Sequence, residues 1–272
     1  MKVYISSDFE GASGIVHYDQ TDLAHPEFVR GRKLLMGEVN AAIEGALAQG
    51  ASEILVNDAH WTYRNLVLED LNPAAVLLSG KPKPYMMMAG IDGGYEAAFF
   101  IAYHARAGSA FANLDHSSND LEIVQSVWLN DREVGETGLN AALAGYFGVP
   151  VVLVTGDQTT CAEAKDLLGE DLETVVVKEA VGSGAAKNIH PTRAREMIRE
   201  GARRALVKKR QPFVIKPPIT VRVAFAKSSQ AERCAMMPDI KRVAPRVVEY
   251  THKDCAVLYN AFRVLMMLAD WG

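Results

Sequence analysis

The chain has 272 residues, 49% of them apolar, and a formal net charge of −4 at pH 7. That balance suits a large globular α/β core. Mild acidity without a Lys/Arg stripe excludes a nucleic-acid surface, and no apolar run approaches the roughly 20 residues of a membrane span.

Short apolar runs alternate with longer helical patterns along the chain. "KVYIS" (2–6) reads as a strand. In 32–50, Leu35, Val39, Ile43 and Leu47 recur at helical spacing, and Gly50 supplies a stop. "EILVND" (53–58), "AVLLSG" (75–80) and "AAFFIAYH" (97–104) read as strands, the last apolar on both faces as at the centre of a sheet. "VQSVWLNDREVG" (124–135) predicts a hairpin turning at Asn130-Asp131-Arg132, followed by a helix over 137–146 and the strand "VPVVLVTGD" (149–157). Arg203, Arg204, Lys208, Lys209 and Arg210 read as the polar face and C-terminal end of a helix, where its dipole favours cations. Three prolines in "QPFVIKPP" (211–218) mark a joint. Beyond it come strands at 220–226 and 246–252 and a final helix near 254–269.

The β-α-β alternation predicts an α/β fold with a largely parallel or mixed central sheet and helices on both faces. The expected division is a catalytic domain over 1–212 and a smaller C-terminal α+β lobe over 213–272. Cys161, Cys234 and Cys255 are odd in number, far apart and in no CxxC pair. They argue for reduced thiols and a cytoplasmic setting, and against a cysteine zinc site. No signal peptide is read, because the N-terminus enters a strand at once.

Chemistry-bearing residues gather at predicted strand ends. The first strand runs into Asp8 and Glu10, the second into Asp58 and His60, the fourth into His104, and the hairpin into Glu136. Open α/β sheets bind ligands at the carboxyl ends of their strands, so these residues are expected to converge. On a strand, i and i+2 share a side, so Asp8 and Glu10 would face one spot and Phe9 the packing behind it. Two carboxylates so placed repel unless a cation lies between them. Imidazoles with carboxylates suit zinc, and manganese, nickel and cobalt as well. Each residue alone has a plainer reading: a turn or helix cap for the acids, a satisfied loop histidine for His60. Their joint placement favours a metal site. His116, in "LDHS" just beyond His104, reads either as a solvated loop residue or as a proton shuttle beside metals. His25 and His190 precede prolines and read as turn residues. No phosphate loop, GxSxG elbow or HExxH helix is present. Gly11 and Gly14 are read as letting the backbone turn tightly beside the site.

"SSDFEGASG", "VNDAHW", "AYHARAG", "LDHS" and "NDREVGETGLNAALAGYFGVPVVLVTGD", in that order, resemble the serial motifs of the zinc D-aminopeptidases of the DppA type. The resemblance implies two Zn2+ ions per subunit and release of N-terminal D-amino acids from short peptides such as D-Ala-D-Ala. Carried over by motif, Asp8 bridges both metals. Glu10 and His104 complete one zinc site, His60 and Glu136 the other, and His116 is the catalytic group. The resemblance also implies a ring-like homo-oligomer, a decamer in size, with active sites facing an internal space. Asp115, Ala102 and Gln158 depart from the family pattern, and Asp115 is expected to orient His116 or raise its pKa. Asn113, Asp115 and Arg106 are candidates for orienting substrate, with a structural pairing the alternative for Arg106. Two other classes use similar residues or shape: a binuclear hydrolase of another amide or a phosphate ester, and a non-enzymatic peptide-binding protein.

Overall fold

The computed structural model describes residues 1–118 and 122–271. The chain begins with β1 (Lys2–Ser7), α1 (Phe28–Ala48), β2 (Glu53–Asp58), β3 (Ala75–Leu78) and β4 (Ala97–Ile101). A hairpin of β5 (Val124–Leu129) and β6 (Arg132–Glu133) precedes α2 (Glu136–Tyr146), β7 (Val151–Asp157) and α3 (Gln158–Leu168). β8 (Glu173–Gly182), β9 (Ala185–Asn188) and α4 (Pro191–Ala205) follow. The chain then forms β10 (Ile219–Phe225), α5 (Ser228–Cys234), β11 (Lys241–Ala244), β12 (Val247–His252) and α6 (Cys255–Asp270).

The larger sheet has seven strands in the order β3-β2-β1-β4-β7-β8-β9. All pairs are parallel except β8 with β9. Its central strands β1, β4 and β7 are buried along nearly their whole length because both faces of the sheet are covered there. Val3, Ile5, Phe99 and Ile101 pack with Leu35, Val39 and Ile43 of α1 and Ile198 of α4. Tyr4, Phe100 and Val154 face the other way, into a core shared with Leu139 and Leu143 of α2 and Phe262 and Leu265 of α6. The chain steps outward from β1 to β2 and β3, then returns to β4 on the opposite side of β1. That reversal opens a crevice at the carboxyl ends of β1 and β4, where such folds hold ligands.

The smaller sheet is antiparallel, in the order β11-β12-β10-β5-β6. β5 pairs with β10, so the hairpin joins strands that follow the proline-rich joint. Such pairing between distant segments leaves no trace in local periodicity. The segments α3, β8 and β9 were not among the predicted elements. β8 carries Lys178 and Glu179 within its valines, which masks it as a strand. The strand expected over 97–104 stops at Ile101, because Ala102 takes φ +59 and turns the chain out of the ladder. Arg203 and Arg204 occupy the last turn of α4, as expected.

Candidate metal centre

Asp8 follows β1 directly and extends its pairing, donating its backbone N–H to Ile101 O at 2.9 Å. The chain then turns, with Ala12 N bonded to Phe9 O and Gly11 N to Ala102 O. Glu10 therefore lies in a turn and not on the strand, and the strand period does not explain the pair. The turn still directs both acids to one spot. His60 Nδ1 lies 3.4 Å from Asp8 Oδ1 and 3.1 Å from Glu10 Oε2. Phe9 points away and packs edge-on against Phe28 and His60.

His60 sits in the loop after β2. Asp58 holds that loop and faces away from the centre. Its carboxylate accepts from the N–H groups of Asn65 and Leu66 and from Asn65 Nδ2, which also donates to His60 O. His104 follows the left-handed Ala102. Its Nδ1 lies 2.9 Å from Ala105 O. A carbonyl only accepts, so Nδ1 carries a proton and Nε2 is the nitrogen turned toward the carboxylates. Nε2 lies 3.4 Å from both Asp8 Oδ2 and Glu136 Oε2. Glu136 is the first residue of α2, where the helix dipole favours a carboxylate, and Ser118 N donates to its Oε1 at 2.6 Å. His116 is oriented in the same manner as His104, by Leu114 O at 3.0 Å, and places Nε2 3.8 Å from Glu136 Oε1.

Asp8 thus stands between two imidazoles, with one oxygen toward each. The structure brings Asp8, Glu10, His60, His104, Glu136 and His116 together. Asp8, Glu10 and His104 each offer a ligand atom within 4.8 Å of the others, and so do His104, His116 and Glu136.

This cluster is electrostatically strained as a purely protein assembly. Burial, then the Glu10 carboxylate, pushes Asp8 up to about 7. Burial would also raise Glu10, but His60, by charge and hydrogen bond, together with His116 and His104 outweighs it and holds the carboxyl well below its usual range. For Glu136 burial is outweighed by His104, which holds it at about 2. Burial would lower His60 and His104. Glu10 and Asp8 together outweigh it at His60, which rises well above the usual imidazole range, and Glu136, Asp8 and Glu10 together do so at His104, which rises to about 10. Burial and the neighbouring His104 lower His116. Asp8 Oδ2, Glu10 Oε2, His60 Nε2 and His104 Nε2 are buried without a hydrogen-bond partner among the described residues. Such atoms are costly unless something else satisfies them. Carboxylates and imidazoles gathered this closely fit a zinc-type cation, which would take the place of the ring protons.

The three candidates for orienting substrate are occupied within the fold. Arg106 is paired with Glu163 at 2.7 Å. Asp115 accepts from Gly108 N, and Leu114 O rather than Asp115 orients His116. Asn113 donates to Ser183 O and accepts from Lys178. His190 caps α4, and His25 lies beside Asp19 at the surface. Sequence reading missed Lys178, a buried lysine of β8. The available signal was a charge interrupting the apolar run "TVVVKEAV".

The profile of the D-aminopeptidase family matches residues 1–264. A D-aminopeptidase of Bacillus subtilis (strain 168) is 36% identical over 272 residues, covering 99% of this chain and 98% of that protein. The solved structure described as the Zn-dependent D-aminopeptidase DppA from Bacillus subtilis, a self-compartmentalizing protease, matches with a TM-score of 0.95 at 35% identity. It covers 99% of this chain and 98% of that one. With the metal-competent crevice at the sheet's reversal and a match across nearly its whole length, the chain belongs to the D-aminopeptidase family.

Proposed function

We propose that this chain is a zinc aminopeptidase that removes N-terminal D-residues from short peptides such as D-Ala-D-Ala, using two metal ions. The observation that carries this reading is the set of unpartnered buried donor atoms around Asp8. Asp8 Oδ1 and Oδ2 address different imidazoles, which suits a bridging carboxylate. Asp8, Glu10 and His104, whose donor atoms lie within 4.8 Å of one another, would hold one ion, and His60 and Glu136 would hold the other with Asp8. When bound, zinc at such a centre supplies Lewis-acid polarisation and lowers the pKa of water.

The chain's own contribution is positional and protonic. His116 is the catalytic group. Its Nδ1 proton is committed to Leu114 O, so Nε2 is the atom that accepts and returns a proton, or attacks the carbonyl. Burial and the adjacent His104 favour the neutral ring that this role needs. Glu136 Oε1 faces that nitrogen and steadies the ring when it is charged.

A homo-oligomer with enclosed active sites, a decamer in size, is the assembly we propose. The description of the solved relative as self-compartmentalizing supports it. A cytoplasmic setting agrees with three free, buried cysteines. No helix among the described residues is long and apolar enough to cross a membrane.

Zinc-loaded protein incubated with D-Ala-D-Ala, L-Ala-L-Ala and a phosphate monoester tests the function. Cleavage of the D-peptide alone is expected. Equal cleavage of the L-peptide, or release of phosphate without peptide cleavage, overturns the reading.

A further inference from the structure

Lys178 is 1% exposed, in the middle of β8. Burying an ammonium is expensive unless every proton finds an acceptor. Here each does: Nζ donates to Glu10 O at 2.5 Å, Ile15 O at 2.7 Å and Asn113 Oδ1 at 2.7 Å. An ammonium has three donors, so the group is saturated.

The acceptors belong to two loops that carry opposite sides of the centre. Glu10 and Ile15 begin and end the turn after β1, so one ammonium fixes both ends of the segment presenting the Glu10 carboxylate. Asn113 begins the segment leading to His116. It is pinned by Asp157 Oδ2, which accepts from its N–H, and by Ser183 O, which accepts from its Nδ2. With Nδ2 so used, Oδ1 is turned toward Lys178. The next residue, Leu114, takes φ +55 and supplies the carbonyl that orients His116. No covalent connection shorter than about a hundred residues joins the two loops, and Lys178 bonds to both.

We propose that Lys178 is a positioning residue that sets the Glu10 carboxylate and the His116 imidazole at their working separation. The inference rests on the zinc D-aminopeptidase reading for its kinetic consequence. It stands on the hydrogen bonds alone for its effect on Glu10. The two arms are separable. Lys178→Met removes both, whereas Asn113→Ala keeps the arm to Glu10 and Ile15 and removes the one toward His116, together with the Nδ2 bond to Ser183 O.

The test uses the full-length protein with three measurements: thermal melting, zinc affinity by competition with a chelator, and steady-state kinetics on D-Ala-D-Ala. Lys178→Met is expected to bind zinc about 10- to 100-fold more weakly, as when a group supporting a metal ligand is lost. Its kcat falls by at least about tenfold as the geometry loosens. Asn113→Ala is expected to keep the wild-type zinc affinity while its kcat falls by a comparable factor at unchanged KM. A merely structural lysine lowers the melting temperature without that split. Folded Lys178→Met with wild-type zinc affinity overturns the proposal, and so does Asn113→Ala with wild-type kcat or with an equal loss of zinc. If Lys178→Met does not fold, Asn113→Ala decides by the same criteria. If the wild-type protein cleaves no D-peptide, the functional reading fails. The zinc affinities of the two variants then still decide the positioning role.

Discussion

The imidazoles of His104 and His116 lie face to face, 3.8 Å between centroids and 11° from parallel. Each ring donates Nδ1–H to a backbone carbonyl, Ala105 O for His104 and Leu114 O for His116. Both Nε2 atoms therefore point the same way, toward the two oxygens of Glu136. Two stacked imidazoles cannot both carry charge cheaply. The more buried His104 sits nearer the carboxylates, and His116, with 14% of its side chain exposed, is the ring left neutral.

His116→Ala is accordingly expected to lower kcat on D-Ala-D-Ala by about 10²- to 10⁴-fold, the range typical of a lost acid–base group. Bound zinc stays near the wild-type ratio, because Asp8, Glu10, His60, His104 and Glu136 remain. Parallel kinetics and metal analysis check this. Full activity in the variant removes His116 from the catalytic role.

Legibility from sequence followed the range of the physics involved. β1, β2 and β7 are apolar runs whose boundaries depend on local pattern, and they form at the expected places. The convergence of Asp8, His60 and His104 was legible because parallel strands put their carboxyl ends on one edge. The orientation of each side chain was not. Asp8 and Glu10 face one spot through a turn bonded to Ala102 O, and His104 lies past its strand because Ala102 takes a left-handed backbone. Lys178 escaped notice because its acceptors are more than sixty residues away in sequence and no local period points to them.

Asp8 contacts both His60 and His104 through different oxygens, so its loss should disturb both of the proposed metal positions. Asp8→Ala is expected to lower the zinc-to-protein ratio well below that of wild type after dialysis. Loss of a peripheral donor such as Glu136 should instead leave part of the metal bound. Inductively coupled plasma mass spectrometry on both variants measures this. An unchanged ratio in Asp8→Ala rules out the bridging role.

Gly11 lies where the Glu10 turn crosses the Tyr103–His104 backbone. A Cβ added there would fall 1.9 Å from Tyr103 O and 2.6 Å from Ala102 C. Both are backbone atoms and cannot swing aside, so the need is for space rather than for an unusual φ. Gly11→Ala must push the turn carrying Glu10 away from the segment carrying His104. A stability loss of about 1–3 kcal/mol or more is expected from overpacking, together with weaker zinc binding. Chemical denaturation and chelator competition read the two effects. A variant as stable as wild type would show that the turn has room to move.

Glu38, on α1, is 2% exposed, and its Oε1 accepts from Ser13 N at 2.8 Å. Its Oε2 has no partner among the described residues. Burial raises the carboxyl from 4.5 to about 7. The folded state therefore holds this proton more tightly than the unfolded chain does. The resulting stability is fully present below pH about 4.5, declines as pH rises, and is lost through about 7. A gap of roughly two to three pH units corresponds to about 3 kcal/mol. Glu38→Gln keeps an oxygen for Ser13 N and carries no charge at any pH. Its stability relative to wild type should be higher at pH 8 than at pH 5 by up to about that amount. Taking the difference between the two proteins cancels the titration of the metal centre, which they share. Urea unfolding at both pH values measures it, and a difference independent of pH would mean that Glu38 is ionised and satisfied in the folded protein.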